Sequence, residues 1–203
     1  MNGNIMVNPT VQRIVGLLFF SIVMASTASA LAAEQLVPDR YKSIQEAIDN
    51  AAPGDTVVIS GGEEYRENLV IDKPLTVRRD TTSETVVIAA ASIEEPVITV
   101  RGATAVKVIG ITLSGSTKAG LYVVDSSEVQ IEGVSATGNR YGIHLVRSNG
   151  NIIQESSAQF NEYGIYLVES RDNIIKGNRA DNNRDKGIVL LDASRNSITD
   201  NSA

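Results

Sequence analysis

Four charged residues recur at intervals of 22 or 23 positions: Asp125, Arg147, Glu169 and Asp192. Carboxylates on neighbouring turns of a repeat, close to an arginine, could form the acid pair of a glycosidase, which needs carboxyl groups about 5–5.5 Å apart for retention or about 6.5–9.5 Å for inversion. The same oxygen atoms would suit Ca²⁺. Opposite charges that alternate along a ladder are equally typical of a solvated face. We therefore expect no catalytic group, and these four residues are the best candidates if there is one.

A second ladder lies three residues earlier in each unit and consists of Tyr122, His144, Tyr166 and Val189. Two tyrosine rings and an imidazole on a flat sheet could stack on sugar rings, which makes a binding site without a catalyst. The alternative is that β-propensity and packing within the ladder account for these residues on a half-exposed strand. Tyr122, His144 and Tyr166 are the candidate glycan-binding residues.

The spacing of both ladders follows an internal repeat. Glycines at positions 120, 142, 164 and 187 begin units of 22, 22 and 23 residues, and an isoleucine stands eleven residues and an alanine sixteen residues after each glycine. The first and third residues after each glycine are aliphatic, so they point inward while the residue between them points outward. Each unit thus predicts three short strands around one core. The residues expected in that core include Ile143, Leu145, Ile153, Ala158, Ile165, Leu167, Ile175 and Ala180.

A 22-residue unit with no helical face can bury its apolar residues only against neighbouring units. The repeat therefore predicts an all-β solenoid, a parallel β-helix, in which identical residues form ladders about 4.8 Å apart. Two such ladders are Asn151, Asn173 and Asn196, and Asn139, Asn161 and Asn183. Asparagine tolerates left-handed corners and can hydrogen-bond the asparagine of the next coil. A leucine-rich repeat has a similar period but requires a leucine-rich consensus with one strand per unit.

The N-terminal part of the domain differs from the repeat. Ser43 and Glu46 have the spacing of a capping box, and apolar residues at helical spacing follow as far as Ala51, which predicts a short capping helix. Short β-rich runs then follow one another closely over residues 56–100, and this spacing leaves no room for crossover helices.

Residues 1–33 have the order of a secretory signal, with Arg13, the apolar stretch Ile14–Met24 and small residues up to Ala33. The apolar stretch is well short of the ~20 residues that a membrane-spanning helix needs, so a permanent anchor is the weaker alternative. The predicted domains are a signal peptide at residues 1–33 and a β-helix at residues 34–203. The predicted location is the periplasm, the cell surface or the extracellular medium.

Composition excludes several function classes. The chain of 203 residues has a formal net charge of −6, which argues against nucleic acid and anionic membrane surfaces as partners. It contains no Cys, so it has no disulfide framework, no thiol nucleophile and no cysteine zinc site. The sequence shows no phosphate-binding glycine loop and no Ser-His-Asp arrangement.

The unit Gly164-Ile-Tyr-Leu-Val-Glu-Ser-Arg-Asp-Asn-Ile-Ile-Lys-Gly-Asn178 resembles the repeat of NosD-type periplasmic proteins, which are grouped with carbohydrate-binding and sugar-hydrolysis (CASH) domains in the pectin-lyase-like superfamily. The similarity covers roughly residues 40–203, and Tyr41–Asp49 is similar to the N-terminal helix that covers the first coil of such proteins. The resemblance implies a right-handed, single-stranded parallel β-helix. It is less informative about function, because this superfamily includes lyases, hydrolases, esterases, adhesins and non-enzymes.

The NosD resemblance also implies a role in copper handling during maturation of nitrous oxide reductase. Copper prefers Cys, Met and His ligands. All three methionines lie within residues 1–33, and His144 is the single histidine of the chain. We therefore expect no copper site and no other cofactor, with Ca²⁺ as the metal that the charged ladder would suit. The paired Asp and Gly-His-Gly turn of polygalacturonases are absent, because His144 stands in Gly-Ile-His-Leu.

The favoured hypothesis is an exported, non-catalytic module that binds a polysaccharide or cell-surface glycan or serves as a scaffold. One alternative is a polysaccharide lyase or glycoside hydrolase that uses the charged ladder, and another is an accessory protein of copper-enzyme assembly. After signal cleavage no membrane span is expected. The repeat stops at Ala203, which aligns with Ala180 in mid-unit. We therefore expect further coils or another chain at that end.

Overall fold

The computed structural model describes residues 32–62 and 64–203. Its elements in chain order are β1 (Glu34–Val37), α1 (Ile44–Asn50), β2 (Thr56–Ile59), β3 (Glu64–Arg66), β4 (Leu69–Ile71), β5 (Thr76–Arg79), β6 (Val86–Ala89), β7 (Ile98–Arg101), β8 (Lys107–Ile109), β9 (Ile111–Ser114), β10 (Ala119–Val124), β11 (Gln130–Glu132), β12 (Ser135–Thr137), β13 (Tyr141–Val146), β14 (Ile152–Gln154), β15 (Tyr163–Val168), β16 (Ile174–Lys176), β17 (Lys186–Leu191) and β18 (Ser197–Thr199).

The strands form three parallel sheets around one core. The eight-stranded sheet has the order β1-β2-β5-β8-β11-β14-β16-β18, the six-stranded sheet β17-β15-β13-β10-β7-β4, and the four-stranded sheet β12-β9-β6-β3. The chain visits the sheets in turn, so each circuit adds one coil, and about seven coils build a parallel β-solenoid. This architecture confirms the predicted fold class.

The core follows the alternation of side chains along each strand. In the strand Tyr163–Val168, Ile165 and Leu167 are fully buried, while Tyr166 between them is partly exposed. All eight residues that the repeat assigns to the core are fully buried. The hydrophobic contacts therefore run along the axis from coil to coil, as the repeat predicts.

Each repeat glycine lies at a crowded corner. A Cβ atom built on Gly142 would come within 2.7 Å of the Gly164 carbonyl oxygen, 2.8 Å of Asn161 Nδ2 and 2.9 Å of Ala158 Cβ. Gly164 is confined by the carbonyl oxygens of Gly187 and Ala158 and by Asn183 Nδ2. The alanine sixteen residues later is among the nearest neighbours at Gly120, Gly142 and Gly187, which explains why both small residues recur.

The asparagine ladders bind successive coils together from the inside. The Asn151 backbone N–H donates to Asn173 Oδ1 at 2.9 Å, and Asn173 Nδ2 donates to Asn196 Oδ1 at 3.0 Å. Asn139 and Asn161 are connected in the same way. A further ladder, which the sequence analysis did not identify, consists of Ser156, Asn178 and Asn201.

The asparagines of the two predicted ladders do not occupy the left-handed corners, contrary to the prediction. Positive φ angles occur at the residues directly before them, such as Asp172, and at the charged ladder, with 49° at Asp125, 46° at Arg147, 48° at Glu169 and 50° at Asp192. Asp125, Arg147 and Glu169 each precede a buried serine whose hydroxyl donates a hydrogen bond to a backbone carbonyl, so the exposed residue takes the left-handed conformation at the bend.

The short helix caps the first coil, as predicted. Ser43 Oγ accepts a hydrogen bond from the Glu46 N–H at 3.2 Å, which caps the helix N-terminus. The Glu67 carboxylate, from the following coil, accepts from the N–H groups of Ile44 at 2.8 Å and Gln45 at 3.0 Å. A carboxylate on these unpaired N–H groups and on the positive end of the helix dipole attaches the helix to the coil.

The signal peptide predicted for residues 1–33 lies outside the described residues, except for its last two positions, and stays a prediction. In the part of the chain that the structure describes, no helix is long and apolar enough to cross a membrane. In the last coil, Leu190 and Ile198 are 36% and 43% exposed.

Candidate functional site

The outer face of the six-stranded sheet carries the predicted aromatic column. Tyr122 is in register with His144, His144 with Tyr166, and Tyr166 with Val189. Thr99 precedes Tyr122 in the same column. The structure therefore brings Tyr122, His144 and Tyr166 together as neighbours on successive coils.

Two more rings, missed in the sequence analysis, complete this surface. Tyr141 and Tyr163 precede the repeat glycines and are in register with each other. The centroid of the Tyr141 ring lies 4.5 Å from that of His144 and 5.3 Å from that of Tyr163, with both pairs stacked. We call Tyr122, Tyr141, His144, Tyr163 and Tyr166 the aromatic cluster. The dipeptide Tyr-Gly at positions 141–142 and 163–164 is the sequence signal that could have identified the two additional rings.

The rings of the cluster cover one another unequally. Tyr166 has three ring neighbours at 5.2–5.4 Å, namely Tyr141, His144 and Tyr163. Tyr122 has one, His144, at 5.3 Å and a tilt of 47°. Offset and edge-to-face pairs of this kind each contribute about 0.5–1.5 kcal/mol beyond the area that they bury. Mutual packing therefore accounts for much of the arrangement of the rings other than Tyr122.

His144 is held as a neutral imidazole. Burial among the rings, together with the positive charge of Arg140, lowers the pKa of His144 to about 4. Its Nε2 atom is buried and has no hydrogen-bond partner within the described part of the chain. His144 is therefore uncharged at neutral pH, and that nitrogen faces other side chains rather than solvent.

A groove of about 450 Å³ opens beside Tyr122. Its lining combines Ala119, Tyr122, Tyr141 and His144 with Glu94, Glu95, Pro96, Lys118 and Arg140. This volume lies within the range of about 300–1,000 Å³ that small-molecule sites occupy. The groove combines ring surface with carboxylates and cationic groups, a combination that can meet both the donors and the acceptors of a polyhydroxylated ligand.

An inserted loop forms the acidic side of the groove. Eight residues (90–97) connect the strands of this corner, whereas four (115–118) suffice in the next coil. Asn68 holds the loop, because its Oδ1 accepts from the Ser92 N–H at 2.6 Å and its Nδ2 donates to the Pro96 carbonyl at 2.9 Å. Thr117 Oγ1 donates to the Ile93 carbonyl at 2.7 Å. The loop is thus fixed on both sides.

The charged ladder lies at the other end of the same strands. Arg147 donates from Nε and an η nitrogen to the two carboxylate oxygens of Asp125, at 2.7 and 2.9 Å. This hydrogen bonding by Arg147 lowers the pKa of Asp125. A carboxyl with a lowered pKa is a poor general acid, because an acid needs its pKa raised toward the working pH.

Glu169 and Asp192 continue that ladder and are exposed. They line a shallow depression together with Arg147, Asn149 and Arg171. The arrangement is that of a solvated corner, and it places both carboxyls away from the groove.

Metal ligands are sparse. Residues 32–62 and 64–203 contain no Cys, no Met and one His, and they include no group of three or more His, Cys, Asp or Glu side chains placed to hold a metal ion. Copper favours soft thiolate, thioether and imidazole ligands. The donor set of these residues does not fit a copper site.

A family comparison covers most of the repeat region. The sequence profile described as "Periplasmic copper-binding protein (NosD)" matches residues 76–203. A comparison with curated proteins finds no match.

Solved structures share the fold. An alginate lyase from Paenibacillus sp. str. FPU-7 superposes with a TM-score of 0.65 at 18% identity, over 79% of this chain and 65% of the lyase. The enzymatically active domain of tailspike protein 2 from bacteriophage CBA120 superposes with a TM-score of 0.54 at 19% identity, over 73% of this chain and 24% of the tailspike. The chain thus spans less than two thirds of either protein, and at these identities the similarity concerns the fold.

Proposed function

This chain belongs to the NosD family, and from that premise we propose that it is an exported, non-catalytic β-helix module that binds glycans on its aromatic face. The observation that carries the proposal is the groove beside Tyr122, which combines ring surface with charged groups of both signs. Sugars are bound in this manner, with a ring face against an aromatic side chain and hydroxyl groups on polar side chains.

The contents of the groove support binding rather than catalysis. His144 is neutral, and its Nε2 atom is enclosed by other side chains, so that nitrogen cannot exchange a proton with a ligand. The carboxyls of the charged ladder are either paired with arginine or exposed at a bend. None of the ladder carboxyls lines the groove.

The description of the family as copper-binding does not carry over to the residues of this chain. Residues 34–203 offer His144 as the single soft or borderline ligand. We therefore propose that, if the chain takes part in copper-enzyme assembly, it does so without holding copper itself.

The decisive experiment is a binding screen of the purified protein against acidic and neutral polysaccharides, combined with an assay for reducing ends and unsaturated products. The proposal predicts binding without product. Product release that disappears in Glu169→Gln or Asp192→Asn would show a lyase or hydrolase instead. Failure of the whole panel to bind would leave only a scaffold role.

A further inference from the structure

The proposed glycan-binding function leaves open how many sugar rings the face holds. Resting on that function, we infer that the site takes a single sugar ring, stacked on Tyr122 in the groove, rather than a row of sugars along the aromatic column. The protein then recognises one sugar unit of the glycan, and Tyr122 is the side chain that determines this recognition.

The contacts between the rings of the cluster support a single-ring site. Tyr141, His144 and Tyr166 each have three ring neighbours within 5.4 Å, whereas Tyr122 has one. Stacked pairs such as Tyr141 and Tyr163 turn their faces toward each other, at an interplanar angle of 18°. A face that is already covered cannot stack on a sugar. Of the three rings that line the groove, Tyr122, Tyr141 and His144, Tyr122 is the least covered by other rings.

The space beside Tyr122 also supports a single-ring site. The residue that precedes Tyr122 in its column is Thr99, and the residue that precedes Tyr141 in the neighbouring column is Ala119. These small side chains end the row of rings and leave the groove beside the last ring. A ligand ring placed there would extend the stack of side chains by one member.

The charged residues that line the groove can also bind a single sugar ring. The loop that presents Glu94 and Glu95 is held by Asn68 and Thr117 and is therefore built in place before any ligand arrives. Lys118 and Arg140 lie on successive coils and also line the groove. Carboxylates accept hydrogen bonds from sugar hydroxyls, and cationic groups donate to sugar oxygens. One sugar ring can therefore bind both kinds of group.

The hydroxyl groups of Tyr163 and Tyr122 have different surroundings. The Asp185 carboxylate, through its hydrogen bond with the tyrosine hydroxyl, raises the pKa of Tyr163 to about 12. Burial raises the pKa of Tyr122. Tyr163 is thus hydrogen-bonded outside the groove, whereas Tyr122 lines it.

A length series tests the inference. Oligosaccharides of two to six sugars, prepared from a polysaccharide that the protein binds, would be titrated while the ring signals of the six tyrosines are followed by NMR. We expect Kd to vary by less than about threefold over the series, because a row of stacked rings would instead raise the affinity on the order of tenfold for each added ring. The Tyr122 signals should shift most.

Matched variants complete the test. Tyr122→Leu, which keeps bulk but removes the ring, should weaken binding at least about tenfold, whereas Tyr122→Phe and Tyr163→Leu should leave it within about threefold. Affinity that rises steadily with chain length, or equal losses in Tyr122→Leu and Tyr163→Leu, would overturn the single-ring site and leave the glycan-binding function intact. Absence of binding to any glycan would overturn both.

Discussion

Gly142 lies so close to Ala158 that a β-carbon on the glycine would stand 2.9 Å from the Cβ of the alanine. The same atom would stand 2.7 Å from the carbonyl oxygen of Gly164, which is backbone and cannot rotate away. The space at Gly142, near the start of its strand, therefore has no room for a side chain.

Gly142→Ala should destabilise the fold by about 1–3 kcal/mol, the usual range for overpacking in a close-packed interior. Gly138→Ala is the control, because its Cβ would meet nothing within 4 Å and only its φ of 66° opposes the side chain. Urea denaturation measures both. Gly138→Ala measures the cost of a positive φ alone, about 1–2 kcal/mol. An unfolding free energy of Gly142→Ala within about 0.5 kcal/mol of the wild type would show that the position is less crowded than described.

Glu67→Gln should loosen the capping helix. The carboxylate accepts two helix N–H groups, and the neutral amide would keep one acceptor but lose the charge that the helix dipole favours. We expect a loss of about 1 kcal/mol, as for other helix caps. Hydrogen exchange at the Ile44 and Gln45 amides measures the change, and unaltered protection there would contradict it. Glu64→Gln, whose carboxylate pairs with Arg66 at 2.6 Å, is the control.

The single histidine makes the electrostatics of the cluster measurable. In the unfolded chain His144 takes up a proton near pH 6.5, whereas in the folded protein it does so at about pH 4. The unfolded state therefore binds more protons in this window, so the unfolding free energy should fall by on the order of 2–3 kcal/mol as the pH drops from 6.5 to 4. Above pH 6.5 this contribution should be constant.

NMR titration of the one imidazole measures that pKa directly. A midpoint near 6.5 would mean that the ring is solvated rather than enclosed. The variant His144→Gln should show a flatter dependence of stability on pH between 6.5 and 4, with the remaining slope due to carboxyls.

Copper binding is expected to be weak. A protein beginning at residue 34 contains no Met or Cys, and its one imidazole is enclosed by tyrosine rings. Competition with a chromophoric Cu(I) chelator should show binding no tighter than that of an unrelated acidic protein, and His144→Gln should leave it unchanged. Stoichiometric, high-affinity Cu(I) binding would contradict the ligand count.

The sequence was sufficient for the fold and for the register of the column, because Gly164, Ile165 and Leu167 recur with a spacing that only stacked coils can satisfy. It was not sufficient for Tyr141 and Tyr163. Strict alternation would place a residue one position before Gly142 inward, but the pairing passes over the glycine and leaves the tyrosine on the outer face.

The remaining parts of the site depend on contacts between residues far apart in the chain. The loop at residues 90–97 becomes a side of the groove only through Asn68 and Thr117, more than twenty positions away. At the left-handed bend of Asp125, the next residue, Ser126, is buried and accepts a hydrogen bond from the N–H of Ala103 on the preceding coil. Neither relationship is visible in a repeat pattern.

The most direct measurement is a calorimetric titration of one polysaccharide into the wild-type protein, the double variant Tyr122→Ala with Tyr166→Ala, and Thr112→Ala as the control. Thr112 lies on the four-stranded sheet, outside the aromatic face. The account predicts that binding is lost in the double variant while its circular dichroism spectrum stays that of the β-helix, and that Thr112→Ala binds like the wild type. Undiminished binding by a folded double variant would contradict a glycan site on this face.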